Sequence, residues 1–196
     1  MFHSIPERML EVMHDLEHAD SKDREDGTPH LERLRQVPPI TGRFLALLAA
    51  GAPEGVFLEV GTSAGYSALW ISLALFGNSR RFFTYELLPE KVRRAQDTFA
   101  KTGLGERIEL VPDDVQNHFG SFQNIAFAFI DAEKDLYEKC YEPIVSNLVP
   151  RGILAADNVT SHKEVLQPFV EHAEGDPRID SLVVPIGKGV LVARKV

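Results

Sequence analysis

Two segments place hard oxygen donors where a metal ion and a proton acceptor can work together. Ile125-Ala-Phe-Ala-Phe-Ile130 runs into Asp131-Ala-Glu-Lys134, and Gly152-Ile-Leu-Ala-Ala156 runs into Asp157-Asn158. Both apolar runs read as buried strands. As neighbours in a parallel sheet they bring Asp131, Asp157 and Asn158 to one edge. Two carboxylates and an amide oxygen suit a partly hydrated Mg²⁺ and disfavour a soft metal. A cation also relieves the repulsion between the carboxylates. Lys134, three residues past Asp131, is spaced to act as general base on a metal-bound hydroxyl once burial and the cation lower its pKa. Each residue also has a plainer reading. Asp and Asn cap helices, and a lysine by itself belongs to the surface. His162 either lines a substrate mouth or sits in a solvated loop. The other histidines lack zinc-site spacing.

A second constellation surrounds Leu58-Glu-Val-Gly-Thr-Ser-Ala-Gly-Tyr-Ser67. A buried strand enters a loop holding Gly61 and Gly65, and a helix follows. Glycines let the backbone approach a ligand, and the helix N-terminus favours a carboxylate. About 20 residues on, another strand ends at Glu86, where a carboxylate can accept the hydroxyls of a ribose. A third strand ends near Asp113-Asp114, where an adenine would lie. Gly61-Thr-Ser-Ala-Gly65 does not supply the G-x-G-x-x-G spacing of a dinucleotide fingerprint. It matches the G-x-S-x-G nucleophile elbow of a serine hydrolase, with Ser63 as nucleophile and Asp157 and His162 following in order. That elbow normally follows several strands, and this loop follows the first. A glycine turn with no ligand is the third alternative, and Glu86 argues against it.

Strands and helices alternate around these residues. Ile5, Met9, Met13 and Leu16 predict an amphipathic first helix, with a charged loop over Asp20 to Pro29. Pro38-Pro39 breaks regular structure, and Thr41 to Ala50 reads as a helix. Strands at 56–60, 82–85, 108–111, 125–130 and 152–156 alternate with helices at 67–75, from Pro89 toward Lys101, at 136–148 and at 165–173. Leu182 to Pro185 and Val190 to Ala193 form a hairpin around Ile186-Gly-Lys-Gly189. This is an α/β pattern: a mostly parallel sheet, helices on both faces, an antiparallel edge. Ligands of such sheets bind at the carboxyl ends of the strands.

The chain has 196 residues, enough for one core, with a short helix-and-loop region over 1–30 ahead of the main domain at 31–196. The net charge of −8 argues against a nucleic-acid partner. Cys140 is the only cysteine, lies in a helical apolar pattern and is expected to pack. No membrane-length apolar run and no leader-like h-region is visible, so a cytoplasmic protein is expected.

These residues resemble the cation-dependent O-methyltransferases, the family of the catechol and caffeoyl-CoA enzymes, and most of all its short bacterial type. The likeness is carried by Val37-Pro-Pro-Ile-Thr-Gly-Arg-Phe44, Leu58 to Ser67, Phe129-Ile-Asp-Ala-Glu-Lys134 with Tyr137, Gly152 to Asn158, Asp176-Pro-Arg and Pro185-Ile-Gly-Lys-Gly189. The resemblance implies a Rossmann-like class I methyltransferase fold, a seven-stranded sheet closed by a C-terminal antiparallel hairpin. It implies S-adenosylmethionine as cofactor, a divalent cation with Mg²⁺ expected, a small phenolic or catechol-like acceptor, and a homodimer. By resemblance, Glu59, Gly61, Thr62, Ser63, Gly65, Tyr66 and Ser67 hold the amino-acid part of the cofactor, and Val37 and Thr41 cover it. Glu86 binds the ribose, and Asp113, Asp114 and Val115 the adenine. Asp131, Asp157 and Asn158 hold the metal, Asp131 also lies beside the cofactor, and Lys134 is the base. Two departures stand out. Asp113-Asp114-Val115 replaces the common Gly-Asp-Ala, and Val159 and Thr160 stand where an aromatic often follows Asp-Asn. A non-catalytic binder of an adenosine compound is the other class that keeps the glycine loop and Glu86.

Overall fold

The computed structural model describes residues 1–77 and 79–196. Its order is α1 (Glu7–Asp23), α2 (Pro39–Gly51), β1 (Val56–Val60), α3 (Tyr66–Ser72), β2 (Phe82–Tyr85), α4 (Pro89–Thr102), β3 (Ile108–Val111), β4 (Ile125–Ile130), α5 (Leu136–Asn147), β5 (Leu148–Ala156), α6 (Lys163–Gly175), β6 (Ile179–Val184) and β7 (Val190–Lys195). The strands form one seven-stranded sheet in the order β3-β2-β1-β4-β5-β7-β6. Strands β1 to β5 run parallel. β7 runs antiparallel to both β5 and β6.

Side-chain alternation along the central strands divides the core. Phe57, Phe127 and Phe129 face the layer built with α1, α2 and α3, whereas Leu58, Val60, Ala128 and Ile130 face the layer built with α5 and α6. Strands covered on both faces must be apolar throughout, and every residue of β4 is buried. The chain reverses direction across the sheet between β1 and β4, so a crevice opens there at the carboxyl ends.

The structure differs from the sequence pattern at several edges. Helix α1 runs through Asp20 to Asp23, where a loop is predicted. Both carboxylates are used: Asp20 accepts from the Gln36 amide at 2.9 Å and Asp23 from the Leu34 amide at 2.7 Å. Met9, Val12 and Met13 are buried, so α1 belongs to the same core as the sheet. β5 starts at Leu148 and β6 at Ile179, ahead of the apolar runs that predict them, because ladder hydrogen bonds extend beyond the buried stretch. A 3-10 turn over Val115–Ser121 follows β3.

Candidate active site

The two strand ends that carry the hard oxygen donors meet. β4 pairs with β5 in a register that sets Ile130 beside Ala156, so Asp131, Asp157 and Asn158 emerge together. None of them caps a helix: the residue before α5 is Asp135 and the one before α6 is His162. The helix-capping alternative is therefore not what the fold uses. Asn158 takes φ 67°, a left-handed conformation that asparagine tolerates. Its Nδ2 donates to Asp131 Oδ1 at 2.7 Å and to Asp157 Oδ2 at 3.2 Å. Half a turn of the amide exchanges that nitrogen for its oxygen.

Asp157 Oδ1 is buried and has no hydrogen-bond partner among the described residues. A buried, unpaired carboxylate oxygen is costly unless a cation meets it. Burial pushes the Asp157 carboxyl up to about 7, with the Asp131 charge adding to it. Burial also raises Asp131, against the pull of Lys134, Lys188 and Arg35. Two neighbouring carboxylates that resist ionising, one with a free oxygen, fit a hard divalent cation. Among the described residues no three His, Cys, Asp or Glu side chains gather as a metal cluster; the set here is two acids and an amide.

Lys134 stands beside them, its Nζ 3.8 Å from Asp131 Oδ1. It donates to the Ala132 carbonyl and to the Tyr137 hydroxyl, both at 3.0 Å. Tyr137 donates its own proton to the Asp157 carbonyl at 3.0 Å. Burial lowers the Lys134 pKa, opposed by Asp131 and Asp157.

The glycine loop lies across the crevice from this cluster. Gly61 has φ 101°, and a Cβ there would sit 2.2 Å from the Asp131 carbonyl oxygen, so only glycine lets the β1 and β4 ends touch. Glu86 accepts from the Ser63 amide at 2.8 Å and the Leu88 amide at 2.9 Å, which fixes its carboxylate at the crevice. Asp113 is held by Asn117 and His118. Asp114 caps the following 3-10 turn through the Gln116 amide.

One cavity of about 390 Å³ joins the two ends. Val37, Gly61, Thr62, Ser63, Tyr66 and Ser67 line it on the loop side. Glu86, Asp113, Asp114 and Val115 line the middle, and Asp131, Lys134, Asn158 and His162 the far end. Four of the predicted residues stand behind its wall. Asp157 is fully buried beneath Asn158. Glu59 is fully buried, accepting from Ser67 at 2.6 Å and Thr84 at 2.5 Å, and Thr84 shares a 2.5 Å bond with Thr62. Burial pushes Glu59 up to about 7. Thr41 packs against Gly187, and Gly65 against Phe99. The Tyr66 hydroxyl turns away to Glu17 of α1 at 2.5 Å.

The pairing a serine hydrolase needs is not formed. The Ser63 hydroxyl donates to the Leu34 carbonyl at 2.8 Å, and His162 Nδ1 lies 3.0 Å from Ser161. Sequence reasoning missed several lining residues: Leu34, Arg35 and Gln36 on the strap after α1, Lys91 on α4 and Lys188 in the β6–β7 turn. Only Lys188 left a visible trace, as a lone charge between two turn glycines.

A crevice at the β1–β4 switch point, a glycine loop and an acid at the end of β2 define a class I methyltransferase fold. The chain belongs to the O-methyltransferase family, whose model matches residues 11–196. It is 35% identical over 138 residues to a catechol O-methyltransferase of Niastella koreensis, a match spanning 66% of this chain and 61% of that enzyme. It is 24% identical to a caffeoyl-CoA O-methyltransferase of Mesembryanthemum crystallinum, over 84% of this chain and 80% of the relative. Among solved structures, an O-methyltransferase from Bacillus cereus in complex with SAH superposes with a TM-score of 0.78 at 21% identity, covering 95% of this chain and 91% of that one. An SAH-bound methyltransferase from Podospora anserina gives 0.79 at 23% identity, covering 98% and 89%. No helix among the described residues is long and apolar enough to cross a membrane.

Proposed function

We propose that this chain moves a methyl group from S-adenosylmethionine to a hydroxyl of a small, catechol-like acceptor, with a divalent cation, Mg²⁺ expected, at Asp131, Asp157 and Asn158. One observation carries this reading: the buried, unpartnered Asp157 Oδ1 stands with Asp131, Asn158 and Lys134 at the end of the cavity that Glu86 and the glycine loop open. The SAH complexes of the Bacillus and Podospora proteins support the choice of methyl donor. The catechol and caffeoyl-CoA enzymes support a phenolic acceptor.

The cation supplies positive charge that lowers the pKa of the acceptor hydroxyl. The protein supplies the rest. Glu86 accepts the ribose hydroxyls of the methyl donor. Lys134 takes the acceptor proton. Its geometry suits that task, because a neutral lysine has two N–H bonds and one lone pair. Ala132 and Tyr137 engage two N–H bonds. Tyr137 spends its own proton on Asp157, so its oxygen is left to accept from Lys134. Lys134 lines the cavity, so its lone pair would be within reach of the acceptor. As the acceptor oxygen forms its bond to the methyl carbon, the carbon–sulfur bond breaks and its electron pair stays on sulfur. Holding both reactants in line contributes much of the rate.

The test is calorimetric titration of S-adenosylhomocysteine into the protein with Mg²⁺ and with excess chelator, followed by a methylation assay on catechol. Cofactor binding with chelator-sensitive turnover supports the reading. A folded protein that binds no S-adenosylhomocysteine, or full turnover in chelator, refutes it.

A further inference from the structure

The far end of the cavity holds a cation that the chemistry above does not use. Lys188 lies in the turn between β6 and β7 and lines the cavity with Asp131, Lys134, Asn158 and His162. Its backbone is pinned. The Lys188 carbonyl accepts from Thr160 at 3.1 Å and Ser161 at 3.0 Å, and the Gly189 carbonyl accepts from Val159 at 3.0 Å. Gly189 has φ 86°, and a Cβ there would sit 1.9 Å from the Thr160 hydroxyl. The turn is therefore clamped onto the loop that carries Asn158, and Lys188 cannot drift far from the acid cluster.

The Lys188 ammonium has no hydrogen bond or ion pair among the described residues, although the side chain is half-buried. Arg35, by contrast, is tied to Glu133 at 2.5 Å. The charge of Lys188 acts on the acid cluster, favouring the ionised form of both Asp131 and Asp157. A divalent cation at those two acids balances their charge. Lys134 is already tied to the Ala132 carbonyl and the Tyr137 hydroxyl. Lys188 is then a positive charge left without a partner among the described residues at the acid-cluster end, and His162, which lines the same cavity, offers a ring nitrogen not engaged by Ser161.

We propose that Lys188 anchors an anionic substituent of the acceptor, so that the preferred acceptor is a hydroxylated aromatic carboxylate and not a neutral catechol. The acceptor's vicinal hydroxyls face Asp131, Asp157 and Asn158, and its carboxylate pairs with Lys188. This rests on the methyl-transfer reading for which end of the cavity takes the acceptor. A half-buried charge-assisted hydrogen bond is worth about tenfold in specificity.

The experiment compares protocatechuate with its primary amide, a pair matched in shape and hydroxyl pattern. Both kcat/KM and calorimetric affinity are measured with Mg²⁺, using S-adenosylmethionine for turnover and S-adenosylhomocysteine for binding. Wild type should favour the carboxylate about tenfold, and Lys188→Gln should bring the ratio near one whatever its absolute rate. Lys188→Arg should keep the preference. Equal use of the two compounds by wild type, or an undiminished preference in Lys188→Gln, overturns the proposal and leaves methyl transfer standing. Carboxylate-selective, Lys188-dependent binding with no turnover of either compound supports the anion site and refutes methyl transfer to a catechol-like acceptor.

Discussion

Lys134 Nζ donates to the Tyr137 hydroxyl at 3.0 Å, and this bond sets the direction in which the lysine can accept a proton. Tyr137 is fully buried and itself donates to the Asp157 carbonyl. Tyr137→Phe removes one of the two bonds that orient Lys134 and leaves the Asp157 carbonyl without this donor. Its kcat should fall about tenfold to a hundredfold, the usual cost of losing an orienting partner. Lys134→Met should fall further, by about 10²–10⁴. Steady-state kinetics on catechol checks both, and S-adenosylhomocysteine affinity should survive in each. Equal rates in Tyr137→Phe and wild type refute the orienting role.

Mg²⁺ should raise the thermal midpoint of the wild-type protein, because a ligand that binds only the folded state stabilises it. Asp157→Asn removes the charge next to the unpaired oxygen and should abolish the Mg²⁺-dependent shift. Differential scanning fluorimetry across a Mg²⁺ titration reads this without any acceptor present. A shift of the same size in the variant places the cation elsewhere.

The strap from Arg24 to Val37 is tied down by carboxylates of α1, Asp20 to the Gln36 amide and Asp23 to the Leu34 amide. It lies over the cavity, and the Leu34 carbonyl accepts from Ser63 in the glycine loop. Asp20→Ala with Asp23→Ala should loosen it and speed S-adenosylhomocysteine release by about tenfold or more. Stopped-flow dissociation measures the rate. An unchanged rate would mean that the strap does not gate the cofactor.

Glu59 makes stability depend on pH in a stated direction. Its folded pKa is about 7 against an ordinary 4.5. The folded chain thus holds this proton more tightly than the unfolded chain does. Raising the pH through that window costs stability, on the order of 3 kcal/mol for this group once the pH is above the folded value. Glu59→Gln keeps a polar partner for Ser67 and Thr84 and should flatten the dependence. Urea unfolding at pH 5 and pH 8 tests it: the variant should lose less stability than wild type between the two. An equal loss would assign the dependence to other groups.

The central fold was legible in the chain because its strands are covered on both faces. Val56–Val60 and Ile125–Ile130 must be apolar throughout, and such runs stand out from the amphipathic helices between them. The acids that end these strands could be found for the same reason: Glu86, Asp131 and Asp157 mark the points where buried strand meets crevice. The sequence could not say whether Asp131, Asp157 and Asn158 cap helices or converge, since both uses need the same residue types. Pairing of β4 with β5 decided that. Nor could it place Glu59 and Thr41 behind the cavity wall, because a residue type and a motif position carry no direction for the side chain.

The alternation of elements, the glycine loop and the chemical identity of each strand end are local properties, and the order of residues is enough to set them. Which distant residues share the cavity depends instead on how separate segments pack. Lys188 lies 57 positions from Asp131 (188 − 131) and reaches it because β7 returns antiparallel beside β5 and its turn clamps onto the Asn158 loop. The strap carrying Leu34 and Arg35 reaches the cavity because α1 buries Met9, Val12 and Met13 in the same core and sets its carboxylates against the Leu34 and Gln36 amides. Contacts of that kind arise from packing between separate segments, and hydrophobic periodicity within one segment carries no record of them.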